Sequence, residues 1–537
     1  MSYLLFPGRH LVNTAFQERY LKRVLQEPPH TLPGYVPGRA ALPYPPTEIV
    51  FAITSANQEN SRFNPIPFHI RAIGVDRFAR DLQSEVKFQY RIFGIPHYGH
   101  TDNFAVFTIK EIALQSEQAI QLTPENCLVL CSTPEVIKLY QGLGFSIAPA
   151  EMAEVNQPPT PIALIREIGA HGNKWRSGPL GAANLAGSHS SLFEDFPEIP
   201  QRIGRLYQDP LTNLEGSLTT SRNYSTYARG MNEIIRLKYL DIRSGIKPGR
   251  IVDEGCADGA LLTEISRDFP DSDLIGIDLS AEFAGRFNER QRAGEFGGAY
   301  VHFFQRNLFD RIFESESIDT TLCNSTLHEI WSYGNGEKSV RSYLAEKLRQ
   351  LRPGGRLLIR DVVGPEAGEW SVRLWCSDAD GKNPSAEEVA ANLTRETNWL
   401  QSLSTRARFR LFANDFLGGR KAFPFTEARH NGEAAFQLTL RQAAEFLSKK
   451  DYADNWSSEM NEEFCFWSFS HWKQVLSEIG FHIIENQNQP ELGSRFYTNP
   501  WIIEHRYSGH VSLVGEDGTP VQWPPTNMIL IAQKPLN

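Results

Sequence analysis

Two acids, each closing a short apolar run, with a glycine turn between them, are the first residues in this chain whose spacing implies chemistry. In Arg250-Ile-Val-Asp-Glu-Gly-Cys-Ala-Asp-Gly-Ala-Leu-Leu262, the first run ends in Asp253 and turns through Gly255, Ala257 and Gly259. A helical pattern follows, and a second run, Leu274-Ile-Gly-Ile-Asp278, ends in Asp278. Glycine lets a backbone turn tightly and lets a ligand approach it closely. The free N–H groups opening the next helix attract an electron-rich ligand. An acid one strand–helix unit further on can accept hydrogen bonds from both hydroxyls of a ribose.

Three later stretches extend the pattern. Phe303-Phe-Gln-Arg-Asn-Leu308 reads as a third strand ending in polar residues, and Cys323-Asn324-Ser325 as the end of a fourth. Leu351-Arg-Pro-Gly-Gly-Arg-Leu-Leu-Ile-Arg-Asp361 reads as helix end, glycine turn and strand. With the glycine turn and the second acid, these pieces resemble the class I S-adenosylmethionine-dependent methyltransferases. The resemblance implies a seven-stranded Rossmann-like sheet and S-adenosylmethionine as cofactor. It implies Asp253, Gly255, Ala257 and Gly259 around the methionine part, Asp278 on the ribose, Asn307 and Leu308 beside the adenine, and Asn324 beneath the sulfonium. The acceptor would then lie past the fourth strand, at Ser325-Thr-Leu-His-Glu-Ile-Trp-Ser-Tyr333. There His328 and Glu329 are the candidate bases, His328 because imidazole titrates nearest neutral pH. Tyr333, Arg495 and Tyr497 are candidate substrate contacts.

The elements that must position this site run from about residue 223 to 537. A helix over 226–242 (Tyr227, Met231, Ile234, Ile235, Leu237 and Leu240 as its apolar positions) precedes the first strand. Residues from about 366 to 460 exceed a minimal methyltransferase and read as a helical insertion capping the substrate side. Their aromatics, Tyr452, Trp456 and the run Phe464-Cys-Phe-Trp-Ser-Phe469, suit core packing first and an acceptor clamp second. Arg406, Arg408 and Arg410 suit a solvated face or phosphate. Val511–Val514 and Asn527–Ala532 read as final strands.

The first 176 residues alternate strands and helices, which predicts a parallel sheet with helices on both faces. Strands are expected at 3–6, 48–53, 86–92 and 126–131. Gly8-Arg9, Ser55-Ala56-Asn57, Asn64-Pro65, Ser132-Thr133-Pro134, and Ile165-Arg166 with Gly172-Asn-Lys-Trp175 carry a second likeness. This part resembles archaeal-type nicotinamide-mononucleotide adenylyltransferases, members of the HIGH-signature nucleotidylyltransferases. The resemblance implies nucleotide binding by Gly8, Arg9, Thr14, Gln17 and Arg166. The signature falls on Thr14-Ala15-Phe16-Gln17, where Phe16 replaces glycine and Gln17 replaces a histidine that would stabilise the leaving pyrophosphate. Nucleotide binding without adenylyl transfer is therefore expected. The alternatives are an active adenylyltransferase in a bifunctional enzyme, and a nucleotide-sensing or partner-docking module. His97-Tyr98-Gly99-His100 spells the literal signature after a later strand, and as a two-histidine metal site it lacks an evident third ligand. No metal is expected.

Residues 177–222, rich in Gly, Ser, Pro and Asn, read as the linker. At 537 residues the chain exceeds one ordinary core. A net charge of −9 opposes general nucleic-acid binding. Scattered cysteines, the absence of a signal-peptide pattern and the absence of a long apolar run lead to a cytoplasmic, membrane-free expectation. The expected acceptor is a small molecule or is nucleotide-like.

Overall fold

The computed structural model describes residues 2–99, 102–150, 158–209, 234–392, 394–430, 433–486, 488–489 and 492–536. Two compact units divide at Ser217/Leu218.

In the first unit, β1 (Tyr3–Gly8), β2 (Glu48–Thr54), β3 (Gln89–Ile95), β4 (Cys127–Leu130) and β5 (Ser146–Ala148) form a parallel sheet in the order β3-β2-β1-β4-β5. Strand β1 is buried on both faces. Leu4 and Phe6 join one core with Phe51 and Phe78, while Tyr3 and Leu5 join another with Val50 and Val129. Such two-sided burial is what a near-continuous apolar run encodes. Strand β3 starts three residues later than expected, because the N–H of Val86 is still held by Leu82 of the preceding helix.

The segment expected as a linker from 177 onward carries helices instead. Helices at Gly187–Asp195 and Glu198–Gln208 pack Leu192, Phe193, Ile199 and Ile203 against Leu164, Ile165 and Ile168. The apolar spacing was there, masked by the glycines and serines around it. Residues 210–222 lie outside the described residues.

In the second unit, β6 (Arg250–Glu254), β7 (Asp273–Asp278), β8 (Tyr300–Gln305), β9 (Ile318–Asn324) and β10 (Leu351–Asp361) run parallel in the order β8-β7-β6-β9-β10. The Pro-Gly-Gly turn appears as a register shift within β10, between Leu351 and Arg356.

The insertion is not purely helical. Strands β11 (Ser371–Cys376), β12 (Thr426–His430) and β13 (Glu433–Thr439) belong to a second, antiparallel sheet in the order β12-β13-β11-β16, closed by β16 (Val511–Gly515). Val511–Val514 therefore completes the insertion, not the main sheet. Alternation explains it: Val372, Leu374 and Cys376 are buried at every second position of β11. Helices at Thr405–Asp415 and Leu440–Lys449 cover this sheet with Phe409, Phe412 and Phe446.

Short β14 (His482–Ile483) and β15 (Arg495–Tyr497) both pair antiparallel with β17 (Asn527–Gln533), which itself runs antiparallel to β10. The main path is thus β14-β17-β10-β9-β6-β7-β8.

The helix before β6 spans Ile235–Ile242 within the described residues; Tyr227 and Met231 lie outside them. Its buried face is Lys238, Tyr239 and Ile242, while Leu237 and Leu240 point outward. That reverses the expected apolar face.

Candidate active site

All the candidate cofactor residues stand at the C-terminal edge of β6, β7, β8 and β9, where ligands bind in open α/β sheets. Gly255 (φ +76°), Ala257 (φ +47°) and Gly259 (φ +81°) are all left-handed, so the turn demands that conformation at each alternate residue. A side chain at Gly255 would collide with Thr326, and one at Gly259 with Phe287. Ala257 holds its conformation at a cost of about 1–2 kcal/mol. Its N–H donates to Asp278 Oδ2 at 3.0 Å, and the N–H of Ser280 donates to Asp278 Oδ1 at 2.9 Å. Asp278 is half-buried.

Asp253 is buried, and among the described residues its Oδ2 has no hydrogen-bond donor. Burial first, then the carboxylates of Asp278 and Glu254, push it up to about 7, with Lys238 opposing. An open, buried carboxylate oxygen suits an ammonium group, and the Asp278 carboxylate stands at the end of β7, where ribose hydroxyls would be met. The residues therefore fit the cofactor that the sequence implies. Glu254, its neighbour, points the other way into a buried ion pair with Lys347 and a hydrogen bond from Tyr343, each at 2.5 Å. Asn307 shapes the turn after β8, its Oδ1 accepting from Phe309 N at 3.0 Å, with Leu308 half-buried beside it. Asn324 is buried at the end of β9, and its Oδ1 accepts from Ser325 Oγ at 3.4 Å.

Lys238 is the site residue that apolar spacing missed. Its Nζ donates to Ser325 Oγ at 3.3 Å, at the point where the fourth strand delivers the acceptor segment. Burial and then Arg360 lower its ammonium to about 7, against the attraction of Asp361 and Asp253.

The helix Leu327–Tyr333 carries His328, whose Nδ1 lies 2.7 Å from Asp361 Oδ1. Asp361 is itself held by N–H donors from Leu327 and Val362, each at 2.8 Å. Burial would lower the imidazole, but Asp361, then Glu462 and Glu329, outweigh it and raise it to about 9. The Asp361 carboxylate thus favours the protonated ring. Glu329 is half-buried beside it.

The candidate substrate contacts each have a partner within the protein. Tyr333 donates to Glu462 Oε1 at 3.1 Å, within reach of the insertion. Tyr497 donates to Asp241 Oδ2 at 2.9 Å, and Arg495 lies 3.5 Å from Asp241 Oδ1. Arg360 completes that network 2.8 Å from Asp241 Oδ2. The aromatics are core: Phe464, Phe466, Trp467 and Trp456 are buried, and Trp331 stacks on Phe466 at 4.2 Å. Arg406 bonds the carbonyls of Cys376 and Ala434, while Arg408 and Arg410 pair with Asp451 and Glu427.

In the first unit a cavity of about 940 Å³ opens at the ends of β1 to β4. Gly8, Arg9, His10 and Gln17 line it with Ser55, His97, Ser132 and Thr133. Arg9 donates to Phe63 O at 2.8 Å. Thr14 and Gln17 form a reciprocal cap on the helix Ala15–Gln26: Gln17 N donates to Thr14 Oγ1 at 3.0 Å, and Thr14 N to Gln17 Oε1 at 3.1 Å. Arg166 is exposed and not among the lining residues. His10, missed in the sequence, is buried and pushed down to about 4 by that burial. His97 lines the mouth, and His100 lies outside the described residues.

In the second unit, a glycine turn and paired acids stand at the C-terminal edge of a mainly parallel α/β sheet. Residues 247–407 match the family model described as a methyltransferase domain. Over those residues the chain accordingly carries a methyltransferase domain. No curated protein matches the chain.

Solved structures resemble it at low similarity. An O-methyltransferase family protein from Burkholderia thailandensis shares 14% identity over 59% of this chain and 60% of its own, with a TM-score of 0.30. A protein described as a candidate O-methyltransferase from Nostoc punctiforme shares 11% over 58% and 60%, at 0.30. An S-adenosylmethionine-dependent methyltransferase from Mesorhizobium loti shares 14% over 56% and 98%, at 0.29. The chain thus spans about three fifths of the first two. Among the described residues no helix is long and apolar enough to cross a membrane.

Proposed function

We propose that the second unit methylates a small-molecule or nucleotide-like acceptor bound against Ser325–Tyr333. The observation that carries this reading is the open, buried oxygen of Asp253 beside an Asp278 pinned to the glycine turn. Asp253 holds the cofactor's ammonium, Asp278 its ribose, and Asn307 and Leu308 border its adenine. Gly255, Ala257 and Gly259 bring the backbone close, and Asn324 stands by the reacting end. Bound there, S-adenosylmethionine supplies a sulfonium methyl group open to in-line displacement, so alignment and exclusion of water are the protein's main tasks. His328 and Glu329 are the candidate groups to take a proton from the acceptor, and Asp361 fixes the His328 ring.

The first unit, on this reading, is a Rossmann-like, nucleotidylyltransferase-like domain that binds a nucleotide in the cavity beside Gly8 and Arg9 without transferring an adenylyl group. The side chain of Gln17 is engaged in its helix cap and carries no charge for a leaving pyrophosphate. Pyrophosphate release from ATP and nicotinamide mononucleotide would overturn that part.

Titration of S-adenosylmethionine into the full chain tests the main reading. Micromolar binding that Asp278→Ala abolishes is expected, followed by methyl transfer in an acceptor screen starting from nucleotides. A folded wild-type protein that binds no cofactor would sink it.

A further inference from the structure

His10 stands just beyond β1 and lines the cavity of the first unit. Its ring is held on several sides. Nε2 lies 3.0 Å from the carbonyl oxygen of Phe6, and the ring meets Phe6 edge-on at 4.6 Å and Phe51 at 5.8 Å between centroids. A carbonyl oxygen can only accept, so Nε2 carries the proton and Nδ1 is left as a bare lone pair. Among the described residues Nδ1 has no hydrogen-bond partner. We propose that His10 is a specificity-determining residue of that cavity, its Nδ1 accepting a hydrogen bond from an uncharged N–H or O–H group of the bound nucleotide.

The surroundings hold that acceptor in place. His10 has a left-handed backbone, φ +47°, a conformation that persists at a residue other than glycine only where its neighbours over-determine it. Buried Arg71 supplies the frame. It donates to the carbonyl of Arg9 at 2.9 Å and to those of Thr54 and Ser55 at 2.8 Å each, tying the residue before His10 to the end of β2. Arg71 also adds positive charge nearby. Burial first, with Arg71 in support, keeps the imidazole neutral against the pull of the Phe6 carbonyl.

A neutral, bare nitrogen recognises a narrow set of groups. A phosphate or carboxylate oxygen would set lone pair against lone pair there, so the partner is a donor. The anionic part of a ligand has other places, since Arg9 and Lys138 line the same cavity. Three groups of a nucleotide answer the description: the exocyclic amine of a base, a carboxamide and a ribose hydroxyl. A buried acceptor that loses its donor forfeits the bond and keeps the desolvation cost, which is why such sites discriminate sharply.

The assignment rests on the reading of a nucleotide in the first unit, and the test separates the two. ATP and nicotinamide mononucleotide are titrated into the full chain beside analogues that each lack one donor. These are inosine triphosphate for the base amine, 2′-deoxy-ATP for a ribose hydroxyl and nicotinate mononucleotide for the carboxamide. On the wild type, one of these losses is expected to weaken binding about ten-fold or more and so to name the group. In His10→Leu, that parent and its analogue should bind alike. His10→Asn keeps an acceptor oxygen and suits a left-handed backbone, and should retain the discrimination of the wild type. A merely structural role would weaken parent and analogue by the same factor. If His10→Leu does not fold, the ¹⁵N resonance of Nδ1 in the wild type reads the same bond: it should move on binding the parent and not on binding the analogue. A wild type that feels no lost donor, equal discrimination in wild type and His10→Leu, or an Nδ1 resonance that no bound ligand moves overturns the assignment and leaves the nucleotide reading standing. A folded wild type that binds neither ATP nor nicotinamide mononucleotide defeats both.

Discussion

At the scale of residues, Asp253 and Lys238 share one proton economy at the cofactor cleft. Asp253 is raised to about 7, chiefly by burial and then by Asp278 and Glu254. In the folded protein it keeps a proton between about pH 4 and 7 that the unfolded chain has released. Its contribution to stability is therefore full below its ordinary range near 4 and is lost as pH rises through 7. Binding of an ammonium works in the opposite sense, since only the ionised carboxylate attracts it. We expect S-adenosylmethionine affinity to rise about ten-fold from pH 6 to pH 8, with proton release seen by titration in buffers of different ionisation enthalpy. Asp253→Asn should flatten that profile, and an unchanged profile would remove Asp253 from the site. Lys238 lowers the Asp253 carboxyl, so Lys238→Met should move the midpoint of the profile upward. A downward move would place Lys238 outside the cleft's electrostatics.

At the scale of elements, two local devices hold the sites, and each makes a separate prediction. The reciprocal cap of Thr14 and Gln17 satisfies N–H groups that a helix start leaves open. Thr14→Ala should cost the first unit about 1–2 kcal/mol in urea unfolding. A change below the error of the fit would mean that tertiary packing alone sets the helix start. The buried pair of Glu254 and Lys347 anchors β6 to the helix Glu337–Gln350. Lys347→Met leaves a buried carboxylate unpaired and should cost roughly 3–5 kcal/mol, most of it recovered in the double variant Glu254→Gln/Lys347→Met. Failure of the double variant to recover would show that Lys347 stabilises through packing.

The same elements explain what could be read beforehand. The turn at Gly255–Gly259 and the strand ends at Asp278 and Asn324 were legible because one local rule fixes each of them. Lys238 was not: helical periodicity looks for apolar residues on the inner face, and here a lysine turns inward while Leu237 and Leu240 turn out. The pairing of the candidate contacts Arg495 and Tyr497 with Asp241, on a helix far earlier in the chain, could not be read from either stretch. A non-local pairing such as β11 with β16, more than a hundred residues apart, leaves no trace in either stretch alone.

At the scale of the whole molecule, each unit has its own sheet and its own cores, and on the proposed reading each binds its own ligand. A ligand that binds only the native state stabilises the unit it binds, by about 2.7 kcal/mol at a hundred times its Kd. The two cleft chemistries differ: the second unit offers paired acids and a glycine turn, the first a cavity rimmed by Arg9, His97 and small hydroxyl residues. Calorimetry of the full chain should therefore show two transitions that respond to different ligands. S-adenosylmethionine should raise one of them by several degrees, and ATP or nicotinamide mononucleotide the other. Arg9→Ala should abolish the nucleotide's effect and spare the cofactor's. If one ligand raised both transitions together, the units would be thermodynamically coupled, and a nucleotide at the first would then act as a regulator of methyl transfer at the second.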